Sequence, residues 1–257
     1  MLAKPKKSLG QNFLVDKNIQ RKIIASCDLM PSDVVLEIGA GRAELTKTIA
    51  RMVKKVYAIE IDVSLSEFLK QELKDYANVQ IINQDILKLD LNKLSKQKLK
   101  VVGNIPYYIS SPIIEHLIKY REKIDTIFIS VQKEFAKRLA APCGSKDFGS
   151  LSCFVQYYTE PEAIFYIKKN CFYPVPKVDS CFLRLNLQKK SRLSKQREKF
   201  LFKIIRAAFN KRRKTLRNSL QGIILKKNLE EFFSKYGIDS NIRPEGLSLE
   251  NFIKLAN

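Results

Sequence analysis

Apolar and polar positions along the first two thirds of the chain fall into blocks that switch between two periods. Short, nearly continuous apolar runs occupy 34–39 (VVLEIG), 55–62 (KVYAIEID), 79–85 (VQIINQD), 100–106 (KVVGNIP) and 126–132 (TIFISVQ). Runs of this length, bounded by turn residues, are the pattern of strands buried on both faces. Stretches with helical spacing lie between or beside them. Residues 17–27 place Ile19, Ile23 and Ile24 on one face behind Asp16, a capping residue. Further helices are predicted over about 44–53, 64–74, 111–120, 133–140 and 149–158. Two later runs, 163–167 (AIFYI) and 180–187 (SCFLRLNL), are joined by a Pro-containing loop and are expected to add an antiparallel edge. From about 194 the pattern is helical to the end, with breaks near Gly222, Gly237 and Pro244–Gly246.

Strands alternating with helices predict an α/β domain with a mostly parallel sheet, right-handed crossovers and helices on both faces. The helical tail predicts a second, small all-helical domain. The shift in periodicity puts the boundary near 188, giving domains of 1–188 and 189–257.

Charge sharpens that division. The chain carries a formal net charge of +21 over 257 residues. Residues 188–257 hold 18 Lys+Arg against 6 Asp+Glu, so more than half of the excess lies on about a quarter of the chain. Lys189–Arg217 alone has 13 bases and one acid, Glu198. Apolar residues at helical spacing run through it (Phe200, Ile204, Ile205, Ala208, Phe209), so the segment predicts a basic amphipathic helix. Such an excess attracts a polyanion, and nucleic acid is favoured over an anionic membrane surface. Lys211, Arg212, Arg213, Lys214 and Arg217 are the candidate RNA contacts. No apolar run reaches the ~18 residues of a membrane span. The basic N-terminal stretch lacks the apolar core of a secretory signal. Cys27, Cys143, Cys153, Cys171 and Cys181 show no C-x-x-C spacing. The expectation is a cytoplasmic protein with reduced thiols and no metal site. The lone histidine, His116, sits on an apolar helical stretch and is expected to be structural.

The strand ends carry the candidate chemistry, because ligands of open α/β sheets bind beyond the carboxyl ends of the strands. Glu37-Ile-Gly39-Ala-Gly41 follows the first run, and its glycines permit a tight turn and a close backbone approach. A dinucleotide fingerprint would need glycine at position 44, where this chain has Glu44. Glu37, Glu60, Asp62 and Asp85 also stand at strand ends. Acids gathered in a strongly basic protein suit a ligand with cationic groups and hydroxyls better than a pyrophosphate. S-adenosylmethionine offers a sulfonium, an ammonium, a ribose diol and an adenine amine. Glu60, 21 residues after Gly39, is placed for the ribose hydroxyls. Asp85 can accept from the adenine amine.

Beyond the fourth run lies Asn104-Ile105-Pro106-Tyr107. The lone pair of an exocyclic base amine is delocalised into the ring. Two acceptors holding its hydrogens, the Asn104 side-chain carbonyl and the Ile105 backbone carbonyl, would free it. Pro106 fixes the turn, and Tyr107 offers a face for a flipped base. An ordinary strand-to-helix turn accounts for the same residues on spacing alone. Phe172 heads the stiff loop Phe172–Ser180, either as the other side of a base clamp or as a core residue.

Several segments then match a known family: KSLGQNFL (7–14), EIGAG (37–41), EID (60–62), QDIL (84–87), NIPYYISSP (104–112), FYPVPKVDS (172–180) and FNKRRKTLRNSL (209–220). The chain resembles the ribosomal RNA adenine dimethyltransferases over essentially its whole length. The resemblance implies a Rossmann-like S-adenosylmethionine methyltransferase fold. It implies that Asn12, Leu14, Gly39, Glu60, Asp85 and Asn104 line the cofactor site, with Gly41 beside them, and that Asn104 and Tyr107 hold the target base. The family's first loop often reads G-x-G-x-G, and Ala43 departs from it at a position expected to tolerate the change. The basic C-terminal segment resembles the branch acting on two adjacent adenosines near the 3′ end of 16S ribosomal RNA. That branch works on an immature small subunit, and a monomer is expected. The alternative branch methylates a single 23S adenosine. A non-enzymatic RNA-binding assembly factor and a nicotinamide dehydrogenase are the competing classes, the latter disfavoured by Glu44.

Overall fold

The computed structural model describes residues 5–6, 9–188, 192–211 and 214–257. They divide into two compact units, one formed by residues 1–136 and 160–189 and the other by 137–159 and 190–257. The crossing at 189/190 lies beside the boundary expected from charge. Residues 137–159, read above as part of the first domain, group with the helical unit instead. Their apolar side chains have helical partners there, which periodicity along the chain does not reveal.

In the first unit the elements follow in the order β1 (Phe13–Leu14), α1 (Lys17–Ala25), β2 (Val34–Ile38), α2 (Thr46–Ala50), β3 (Lys55–Glu60), α3 (Val63–Glu72), β4 (Val79–Asn83), β5 (Leu99–Asn104), α4 (Ser110–Lys119) and β6 (Ile124–Gln132). Then come α5 (Lys133–Leu139), which runs into the second unit, α6 (Ser150–Tyr158) within that unit, and β7 (Thr159–Ile167), β8 (Phe172–Tyr173) and β9 (Ser180–Leu187). Seven strands form one sheet in the order β4-β3-β2-β5-β6-β9-β7. The strands β2 to β6 run parallel, and β9 joins β6 antiparallel, as the late apolar runs predicted. Every residue of β2 is buried, so both faces of the sheet centre are covered. One core cluster joins Ile23 and Ile24 of α1 and Ile49 of α2 to Val35, Val56, Val102 and Phe128 of the sheet. The order reverses at β2, whose neighbours are β3 and β5, and a crevice opens at such a switch point.

Two local differences from expectation have physical causes. The helix expected over 44–53 shrinks to Thr46–Ala50, because Ala43 adopts φ +62° and Leu45 supplies no side-chain cap. A second, two-stranded sheet pairs β1 antiparallel with β8, Phe13 opposite Tyr173 and Leu14 opposite Phe172. Two-residue strands carry too little periodicity to be predicted.

The second unit is helical: α6, α7 (Lys195–Asn210), α8 (Leu216–Ser219), α9 (Lys226–Tyr236) and α10 (Leu249–Ala256). The basic segment forms a helix over Lys195–Asn210, and Lys211 and Lys214 lie beyond its end. Ser194 caps α7, and Leu201, Ile204, Ile205 and Ala208 make its buried stripe. Phe200, expected on that stripe, stays 36% exposed. Phe154, Tyr157, Tyr158 and Phe202 pack with centroids as close as 4.8 Å, and the Tyr158 hydroxyl donates to Glu198 at 2.7 Å. Gly237 ends α9 in the left-handed conformation, with Ile238 N–H returning to the Phe233 carbonyl at 2.9 Å. Among the described residues, no helix is long and apolar enough to cross a membrane.

Candidate active site

A cavity opens where the sheet order reverses. Four strand ends supply its wall: Gly39 and Gly41 after β2, Glu60 and Ile61 at β3, Gln84 and Asp85 after β4, and Asn104 to Tyr107 at β5. The two glycines adopt φ +75° and +54°, a region open to glycine at no steric cost. A Cβ at Gly39 would meet the Asn104 carbonyl oxygen at 3.4 Å, and one at Gly41 would meet the Phe13 ring at 3.3 Å. Bare backbone there leaves the space to a ligand. Ile38, Ile59, Leu65, Ile86, Ile105 and Ile113 make the rest apolar.

Glu60 is 5% exposed, and its carboxylate is held from both sides. Gly41 N–H donates to Oε2 and Asp62 N–H to Oε1, each at 3.0 Å. Burial raises its pKa, those amides pull it back, and the Asp62 charge adds to the rise. Each oxygen keeps a lone pair for a hydroxyl donor. Asp85 caps the short 3₁₀ turn Ile86–Lys88 through Leu87 N–H at 2.9 Å and lines the cavity. The side chain of Asn104 donates from Nδ2 to the Asn12 carbonyl at 2.8 Å, which leaves Oδ1 as its accepting end. The Tyr107 hydroxyl and Ser180 Oγ lie 2.5 Å apart, pinning the ring, and burial pushes the phenol above its usual range.

This donor set fits S-adenosylmethionine: a buried carboxylate for the diol, a rim carboxylate for an amine, a bare glycine loop and an apolar slot. The structure brings Asn12, Gly39, Gly41, Glu60, Asp85, Asn104, Pro106 and Tyr107 to one cavity. Other expectations are corrected. Glu44 forms a surface ion pair with Lys17 and lies away from the cavity wall. Asp62 is occupied by Lys6 Nζ at 2.7 Å and Gln11 Nε2 at 3.2 Å, and its pKa, which burial would raise, is held low by these donors and Ser64 N–H. Glu37 is 2% exposed behind the glycine loop. Burial raises its pKa to about 8, opposed by the Thr46 hydroxyl and aided by Glu60, which favours the protonated form at pH 7. Only Glu60 and Asp85 of the five acids face the cavity.

Leu14 and Phe172 also move. They stand opposite each other on one face of the β1–β8 ribbon and are buried in the core cluster, at 6% and 1% exposure. Phe172 is a core residue with no free face for a base. The Leu14 carbonyl accepts Gln20 Nε2 at 2.7 Å. Of the basic residues singled out, Lys211 and Lys214 are exposed. Arg217 is committed to Glu230, 2.8 Å away. Arg212 and Arg213 lie outside the described residues. His116 packs at 9% exposure with Nε2 3.1 Å from the Leu89 carbonyl, and burial lowers its pKa, as a structural histidine requires. All five thiols are free, and burial pushes Cys27 and Cys153 up to about 12, far from nucleophilic.

Sequence reasoning missed Phe13 and the latch of Lys6, Gln11 and Asp62. Phe13 lines the cavity under the Arg42 guanidinium, 4.4 Å from its ring centroid. Only the resemblance pointed to this segment, since it has no periodicity.

The whole chain can now be set beside known proteins. Residues 2–257 match the family described as Ribosomal RNA adenine dimethylase. A protein of Lachnoclostridium phytofermentans named Ribosomal RNA small subunit methyltransferase A is 44% identical, over 98% of this chain and 90% of that one. Its namesake in Clostridium botulinum is 43% identical, over 98% and 92%. A dimethyladenosine transferase from Plasmodium falciparum superposes with a TM-score of 0.80 at 27% identity, covering 95% of each chain. The 23S rRNA methyltransferase ErmE gives 0.79 at 25%, covering 95% of this chain and 98% of its own. With the cavity, the strand-end residues and these full-length similarities in agreement, the chain belongs to the ribosomal RNA adenine dimethylase family.

Proposed function

We propose that the protein dimethylates N6 of two adjacent adenosines near the 3′ end of 16S ribosomal RNA, with S-adenosylmethionine as methyl donor. It acts as a cytoplasmic monomer on an immature small subunit during ribosome biogenesis. The observation that carries this reading is the Asn104 amide, anchored by Nδ2 at the wall of a cavity whose opposite side holds Glu60 and Asp85. Identity of 41–44% to proteins named for the small subunit favours 16S over the 23S alternative.

When bound, the cofactor supplies an electrophilic methyl group on a sulfonium. The chain's own residues prepare the base. Asn104 Oδ1 and the Ile105 carbonyl accept the two hydrogens of the adenine amine and draw its lone pair out of conjugation. Pro106, at φ −60°, fixes the turn that presents both acceptors. Tyr107, pinned through Ser180, stacks on the ring. No strong general base is required, because the methylated amine is acidic and loses its proton readily, in keeping with a single, buried histidine. Glu60 takes the ribose hydroxyls, and Asn12, Gly39, Gly41 and Asp85 complete the cofactor wall. Lys211 and Lys214, with Arg212 and Arg213, contact RNA phosphates.

The test is mass-spectrometric mapping of ribosomal RNA after incubating the protein and donor with immature small subunits. Two dimethylated neighbouring adenosines near the 16S 3′ end are expected. Label confined to 23S RNA would sink the assignment.

A further inference from the structure

The stretch from Lys6 to Phe13 is fixed at both of its ends. At the first, Asp62 Oδ1 takes Lys6 Nζ at 2.7 Å and Oδ2 takes Gln11 Nε2 at 3.2 Å. Gln11 Oε1 closes the ring by accepting Lys6 backbone N–H at 2.8 Å. The Asp62 side chain is 2% exposed and that of Lys6 47%. At the second end, Phe13 pairs with Tyr173, and the Asn12 carbonyl accepts Asn104 Nδ2 at 2.8 Å. Between these fixings, Leu9 to Phe13 form one wall of the cavity. Asp62 itself does not reach the cavity.

We propose that Asp62 is a positioning residue for methyl transfer: through Lys6 and Gln11 it latches this wall over the cofactor, and through the Asn12 carbonyl it sets the amide of Asn104. The inference rests on the cavity being the S-adenosylmethionine site. A buried carboxylate meeting an ammonium and an amide makes charge-assisted bonds of fixed direction, the one to the ammonium short. The same carboxylate caps α3 through Ser64 N–H at 2.9 Å, a structural duty that must be separated from the latch. Two substitutions do so. Lys6→Met removes the latch cation and leaves the cap intact. Asp62→Asn keeps a capping oxygen but sets an NH₂ against the Gln11 amide donor.

The full-length wild type, Lys6→Met, Lys6→Arg and Asp62→Asn are compared for release of S-adenosylhomocysteine and for amide hydrogen exchange over residues 9–14. Loss of one charge-assisted bond predicts about tenfold faster release for Lys6→Met and Asp62→Asn. Exchange over 9–14 rises with it, and Lys6→Arg stays close to wild type. In turnover, KM for the donor rises more than kcat falls. Wild-type release and protection in both variants would overturn the latch. So would a defect in Asp62→Asn with Lys6→Met normal, since the tie to Lys6 would then play no part in holding the wall. A wild-type chain that binds neither S-adenosylmethionine nor S-adenosylhomocysteine would overturn the reading of the cavity, and the latch with it.

Discussion

Glu60 and Lys214 are both ionisable, yet their surroundings are opposite. Glu60 is 5% exposed, with two backbone N–H groups at 3.0 Å on its two oxygens. Lys214 stands exposed on the helical unit, in a chain of net charge +21. In the cavity each polar group has fixed partners and a direction, and in the low dielectric of the interior that direction carries the energy. On the helical surface the cations are interchangeable and screened by salt. The first region should therefore respond to single substitutions, and the second to the sum of its charges and to ionic strength.

The largest effect should come from the amide at the end of β5. In the proposed mechanism Asn104→Ala removes one of two acceptors from the base amine, and it is expected to lower kcat by about 10²–10³-fold, the range seen when one preorganised polar contact to a reacting group is lost. RNA affinity should stay near wild type, because the proposed phosphate contacts are made by other residues. Single-turnover methylation alongside filter binding separates the two. Normal turnover by the variant would end the lone-pair role, and lost RNA binding would break the contrast between the regions.

Glu37 tests the cavity side by pH. Its folded pKa, about 8, is raised above the ordinary carboxyl value of 4.5, chiefly by burial. The folded state therefore holds a proton that the unfolded chain gives up. Stability is fully present below pH 4.5 and declines as pH rises through 8. Glu37→Gln removes this dependence, and its advantage over wild type should grow by on the order of 3 kcal/mol between pH 5 and pH 8. Urea titrations at the two pH values measure it. Parallel curves would mean that Glu37 is ionised and compensated in the fold.

On the helical side, Lys211→Ala and Lys214→Ala should each weaken RNA binding about two- to threefold and lower the salt slope by about one unit, with kcat untouched. A loss above tenfold from either would show a directional contact of the cavity kind and erase the distinction. Arg217→Ala should instead act on stability, through its pair with Glu230.

The same contrast explains what the sequence disclosed. The sheet was legible because β2, β3, β5 and β6 are apolar runs buried on both faces, and the amphipathic α7 because its stripe repeats every three to four residues. Glu60, Asp85 and Asn104 were legible because each stands at a strand end. What failed was the inference that an acid at a strand end faces the ligand. Asp62 lies two residues beyond Glu60, yet its carboxylate turns to Lys6, and the strand's alternation cannot foretell a partner 56 residues away. Phe172 and Tyr173 are neighbours in a two-residue strand, one buried and one 56% exposed, and only pairing with Phe13 and Leu14 decides which. Long-range pairings fix those side chains, and they leave no local period.

The smallest expected effect lies inside the glycine loop itself. Ala43 holds φ +62° while fully buried, and its methyl packs in a cluster with Ala40, Ala58, Leu69 and Leu73. The left-handed conformation costs an L-residue about 1–2 kcal/mol. Replacing Ala43 by glycine relieves that strain but removes a buried methyl, about 0.8 kcal/mol, and adds about 0.5–1 kcal/mol of backbone entropy to be lost on folding. The opposing contributions nearly cancel, so Ala43→Gly should change stability by less than about 1 kcal/mol and leave donor affinity unchanged. Denaturation by urea and calorimetric titration with S-adenosylmethionine check both. A destabilisation above about 2 kcal/mol would mean that the methyl, rather than the backbone turn, holds the loop in place. In that event the cavity's geometry would depend on packing beneath the loop as much as on the hydrogen bonds to Glu60.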